Sequence, residues 1–190
     1  MALKTPPPPE GTTEALGALE NFLRPGDPPP TRLRIPMGQP YLSVGLRQLA
    51  DGDEILRPAP AGWRFLLRSE PGQAEQAIAA DVNTRAEGAP KMTGVWRGMQ
   101  IQKLAQAIDE LEALPEVRAQ DYELRILGIP GLHIEAFWLK PEAGGPDLVV
   151  PFRALTKEIQ LMRAYPADEF RQISRRMAKD HLARTQRTGE

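Results

Sequence analysis

Apolar positions recur at two periods along this chain, and the period changes mark its elements. In "GMQIQKLAQAIDELEALPE", Ile101, Leu104, Ile108 and Leu111 fall at helical spacing, with Lys103, Gln106, Asp109, Glu110 and Glu112 on the remaining surface. This predicts an amphipathic helix over 99–114, closed by Pro115. "GWRFLLRS" alternates instead, setting Trp63, Phe65 and Leu67 against Arg64, Leu66 and Arg68, the period of a strand. Three further strand-like runs follow the helix: "YELRIL", "HIEAFWLK" and "DLVVPF". "GQAEQAIAADVN" suits helix or strand, and "MTGVWRG" a loop or short strand. "YLSVGLRQLADG" reads as a strand-to-helix or short helical segment ending at Gly52. The chain finishes in two predicted helices, 154–165 and 167–186, the second with a stripe of Phe170, Ile173, Met177 and either His181 or Leu182.

Proline alters the picture at the front. Ten of the 20 prolines lie in the first 40 residues, and runs such as "PPPPE" and "GDPPPT" form neither helix nor central strand. Between them "TTEALGALENFLRPG" predicts a short helix with Leu16, Leu19 and Leu23 on one stripe, Thr12 or Thr13 as its cap, and Pro25-Gly26 as its stop. Residues 1–40 are therefore expected to be a proline-rich arm ahead of one domain, 41–190. The sequence leaves open whether the arm docks on its own domain or on a partner.

The hairpin "YELRILGIPGLHIEAFWLK" is expected to place Ile126 opposite Ile134, Leu124 opposite Ala136 and Tyr122 opposite Trp138. This register gathers one apolar face, which Leu148, Val150 and Phe152 extend. A type II turn at "IPGL" fits it, and so does a cross-strand Arg125–Glu135 pair. His133 and Glu135 then lie on the second face with Arg125. The whole predicts an α+β fold: an antiparallel sheet of about four to five strands under the amphipathic helix, with the proline-rich arm in front and C-terminal helices behind.

Composition narrows the chemistry. The chain has 190 residues, 41% of them hydrophobic and 26% charged, and a net charge of -1, a balance that argues against a dedicated nucleic-acid binder. The absence of cysteine excludes thiol nucleophiles, disulfides and thiolate-ligated metals. No apolar run has membrane-spanning length and no secretory leader is evident, so the expected location is cytoplasmic. The alanine, arginine, leucine and proline bias suits a GC-rich bacterial genome.

The motifs are weak. "HIE" has the spacing of a zinc deaminase's histidine and glutamate, but that site needs two cysteines. "YLSVG" has Tyr41 where a nucleophile elbow needs its first glycine, which leaves Ser43 an ordinary strand-end serine. "DGDE" at 51–54 lacks the later ligands of a calcium loop. No metal or cofactor is expected. If the chain were a hydrolase or transferase, its site would centre on His133, Glu135 and Arg125, with Ser43 or His181 as further suspects. A basic surface of Arg175, Arg176 and Lys179 on the final helix is a route to nucleic acid, although Asp168 and Glu169 at that helix's start follow ordinary dipole logic.

The second sheet face mixes Leu66, Leu127 and Phe137 with Arg64, Arg68, Arg125 and Glu135, too apolar for open water and too charged for a dry core. With Phe170, Met177, Arg175 and Arg176 of the final helix, Leu66, Leu127 and Phe137 are the expected partner-binding residues. The expectation is a non-enzymatic protein-binding adaptor, accessory or assembly component of bacterial type, acting on another protein or on a second copy of itself.

Overall fold

The computed structural model describes residues 3–52, 59–69, 77–84 and 88–188. Among them nine strands form one sheet: β1 (Leu3–Lys4), β2 (Leu33–Ser43), β3 (Ala59–Ser69), β4 (Ala77–Asn83), β5 (Lys91–Trp96), β6 (Tyr122–Ile129), β7 (Ile134–Pro141), β8 (Leu148–Arg153) and β9 (Tyr165–Pro166). They lie in the order β5-β4-β3-β2-β6-β7-β8-β9, with β1 also on β6. The helices are α1 (Leu46–Asp51), α2 (Met99–Leu111), α3 (Pro115–Arg118) and α4 (Ala167–Thr188). The fold is α+β overall, but the small antiparallel sheet expected from the sequence is corrected to a nine-stranded mixed one. β1 and β2 both run parallel to β6; β1 and Leu33–Pro40 of β2 come from the segment read as an arm, and the residues of β2 that meet β6, Tyr41–Ser43, lie just past it.

Proline explains why β2 was hidden. Over Leu33–Pro40 the strand bonds β3 alone, and β6 joins it only at Tyr41–Ser43. Pro36 and Pro40 thus sit where one side of the strand is an edge, the place a sheet tolerates a residue without an N–H.

Both faces are covered, and strand alternation assigns the layers. One face carries Leu66, Ala79, Leu124, Phe137, Leu139 and Val150 beneath the buried stripe of α2, Ile101, Leu104, Ile108 and Leu111. The opposite face is covered twice. Trp63, Phe65, Leu67, Ile78 and Val82 pack on Leu16 and Leu19, while Leu127, Ile129, Ile134, Ala136 and Trp138 pack on α1 and α4.

The N-terminal segment is therefore part of the core. Its helix is of the 3-10 kind, Glu14–Phe22, and Thr13 makes no side-chain cap. Arg97 clamps it from beside β5, donating from Nε to Asp27 Oδ2 at 2.7 Å and from Nη2 to the Phe22 carbonyl.

The hairpin register differs from expectation by three positions. Ile126 faces Phe137, Leu124 faces Leu139, and Ile129 faces Ile134. The sequence argument required one solvated face; here both are buried, so parity no longer selects a register. The connection is also different. Pro130–Leu132 forms a 3-10 turn, and His133 closes it in the left-handed region at φ 52°. Residues 154–164, expected as helix, run through bends and turns, with Met162 at φ 57° before β9. Of "DGDE", Asp53 and Glu54 lie outside the described residues.

Candidate functional site

Four charges cross the α2 face in a row. β3 holds Arg64 opposite Asp81 of β4, and β7 holds Glu135 opposite Arg153 of β8. Arg64 donates from Nε to Asp81 Oδ1 at 2.8 Å and from Nη2 to Asp81 Oδ2 at 2.9 Å, a two-pronged pairing. Its Nη1 reaches Glu135 Oε1 at 3.3 Å, and Arg153 Nη1 donates to Glu135 Oε2 at 3.0 Å. The order is acid, base, acid, base. Arg64 also lies 4.5 Å above the centre of the Tyr41 ring.

Local irregularities aim these groups. Between Glu135 and Ala136 the β7–β8 ladder shifts register, pairing Glu135 with Arg153 but Ala136 with Pro151. Phe152 is thus an extra residue, and the bulge lets both Phe152 and Arg153 line one cleft. On the other side β2 meets β6 only from Tyr41 to Ser43, so the two strands fork ahead of Tyr41, where the tyrosine ring sits. A Cβ at Gly128 would overlap the Tyr41 hydroxyl, so the glycine is needed for that close approach.

The resulting cleft has a volume of about 190 Å³ and is lined by Tyr41, Arg64, Trp96, Gln100, Glu135 and Arg153, with Phe152, Ile101 and Leu104 as its apolar part. Trp96 is 54% exposed although its indole N–H is anchored to Asp81 Oδ2 at 2.6 Å. Met99, at the first position of α2, is 69% exposed.

The electrostatics are set by burial and pairing. Burial opposes the charge on Arg64, but the hydrogen bonds and charge of Asp81, followed by Glu135, raise its pKa above the ordinary arginine value. Arg64 stays cationic at every working pH. Burial pushes the Tyr41 hydroxyl up from its usual range; Arg64 opposes this, and Glu135 and Asp81 add to it.

The residues expected from sequence are dispersed. Glu135 enters the cleft, but His133 is exposed on a second surface. There it lines a groove of about 240 Å³ with His181, Asp180 and Glu158. The two residues of "HIE" therefore open to different places. Arg125 does not meet Glu135: it donates to Glu123 at 2.6 Å and lies 5.9 Å from the centre of the Trp138 ring. Ser43 ends β2 beside Gly128.

Leu66, Leu127, Phe137 and Phe170 are interior side chains, and Met177 is partly buried against the α4 core. Arg175 and Arg176 share a surface with Lys179, Gln172 and Asp180, and among the described residues that line it none comes from the sheet. Arg176 also pairs with Glu158 at 2.8 Å. Among the described residues no group of three or more histidine, aspartate or glutamate side chains could hold a metal ion, and no helix is long and apolar enough to cross a membrane.

Sequence reasoning missed Tyr41, Asp81, Trp96 and Arg153. One signal was available: Arg64 and Asp81 each interrupt an apolar strand, and charges in such positions need each other. No protein-family model matches this chain, and no curated protein or solved structure matches it either.

Proposed function

We propose that this chain is a non-enzymatic protein-binding module of the adaptor, accessory or assembly kind, and that it docks its partner at the cleft beside Trp96 and Met99. The observation that carries this reading is Trp96. A large aromatic, half open to water, is held by its N–H at the rim of a cleft containing two arginines and a tyrosine. Tryptophan, tyrosine, methionine and arginine are the side chains that dominate protein interfaces, because each offers broad apolar contact with a polar or polarisable part.

The charges in the cleft favour docking over catalysis. Both oxygens of Glu135 accept from arginine, which commits that carboxylate to the ion-pair row. Because Leu66, Leu127 and Phe137 are interior, this proposal puts the docking surface at the fork of the sheet and not at its centre.

A photo-crosslinking amino acid placed at Met99 in the protein's own cells tests the reading, with Gln172 on α4 as a control site. The expected result is a discrete crosslinked species from Met99 that Trp96→Ala removes. Equal crosslinking from both sites, or none that depends on Trp96, would count against docking there.

A further inference from the structure

The charged groups of the cleft are unequally committed. Both oxygens of Glu135 are occupied, and Asp81, behind the cleft, accepts from Arg64 and from Trp96. The donors are not used up. Among the described residues, Arg153 makes one side-chain hydrogen bond, from Nη1 to Glu135, out of the five N–H groups a guanidinium carries. It keeps 38% of its side chain exposed. Gln100 is exposed as well and adds a side-chain amide to the same wall. Asp81 balances the buried Arg64 from behind the lining, and the charge the cleft presents with open donors is the half-exposed guanidinium of Arg153.

Resting on the docking reading above, we propose that the partner presents a peptide segment with an Asp or Glu carboxylate beside an apolar side chain. The carboxylate takes the uncommitted donors of Arg153, and the apolar side chain seats against Trp96 and Phe152. Charge complementarity selects this occupant. A basic segment would be repelled by Arg153, and a wholly apolar one would leave Arg153 stripped of water without replacement bonds. Arg64 supports the site indirectly: locked between Asp81 and Glu135, it fixes the carboxylate that orients Arg153.

Selection of a random peptide library displayed on phage against the full chain, counter-selected on Trp96→Ala, tests the inference. The expected peptides carry Asp or Glu within about three residues of Leu, Phe or Met. A synthetic copy of the enriched peptide should lose about tenfold in affinity when its acid becomes the amide, and about the same on Arg153→Gln. The amide peptide should bind the two proteins alike. Because Arg153→Gln removes a partner of Glu135, its unfolding midpoint is checked, and the acid-to-amide comparison on the unaltered chain stands if that variant fails to fold. Trp96-dependent peptides with no enriched acid would overturn the carboxylate inference and leave docking intact. If no selected peptide depends on Trp96, both fall.

Discussion

Arg64 occupies a strand position whose neighbour on the same face, Leu66, is fully enclosed, and its own residue exposure is only 7%. A guanidinium in such a place survives because Asp81 meets it with both oxygens and Glu135 with a third. The dependence runs one way for energy: removing the acid strands the base. Asp81→Asn is expected to lower unfolding free energy by about 2–3 kcal/mol in urea titrations. That is less than the roughly 3–5 kcal/mol of a wholly enclosed pair, since 21% of the Asp81 side chain remains exposed. An unchanged midpoint would show that Arg64 finds water instead.

Tyr41 gives the same neighbourhood a pH signature. Its folded pKa is raised above the ordinary tyrosine value near 10, with burial as the main cause. The folded state therefore holds the phenolic proton longer than the unfolded chain does. The associated stability is complete below about pH 10 and disappears as pH climbs through the raised folded value. Urea midpoints measured across the alkaline range should fall for the native chain and less steeply for Tyr41→Phe. Parallel curves would remove Tyr41 as the source.

At the scale of elements, the N-terminal segment is the one whose role the structure changes most. Leu16 and Leu19 retain 7% and 5% exposure against Trp63, Phe65 and Ile78, contacts that a loose arm would not hold. Leu19→Ala should cost about 2–4 kcal/mol, as for other enclosed leucines, and should speed protease cleavage between Leu23 and Pro30. A change below about 0.5 kcal/mol, the level of ordinary surface substitutions, would mean the segment is not docked in solution. The link to the candidate site is short, because Arg97, the clamp on Asp27, immediately follows Trp96.

For the whole molecule, legibility followed how directly a residue's environment is written in its own period. The α2 stripe and the β3 alternation each face one layer on each side, and Ile101, Leu104 and Ile108, like Trp63, Phe65 and Leu67, are buried in the structure. β6 and β7 are covered on both faces, so Leu127, Ile129, Ala136 and Trp138 were as apolar as the residues between them, and their pairing could not be chosen by parity. The candidate site was less legible still. It joins Tyr41, Arg64, Trp96, Glu135 and Arg153 from five strands, and β6, which contributes none of them, links β2 to β7 through a parallel contact between residues more than eighty positions apart. No local pattern encodes that contact. The bulge that turns Arg153 into the cleft depends on a mismatch with β7 and leaves no mark in β8 alone.

β6 binds β1 along its first residues and β2 along its last, and both of those strands precede it by a long stretch of chain. During synthesis on the ribosome, β2, β3, β4 and β5 are complete while their neighbour is still unmade. The nascent meander must wait with the Tyr41 end of β2 unsatisfied, exposing backbone that invites other polypeptides. Chaperone demand should therefore peak before Tyr122 emerges and drop once Gly128 has been delivered to the waiting tyrosine.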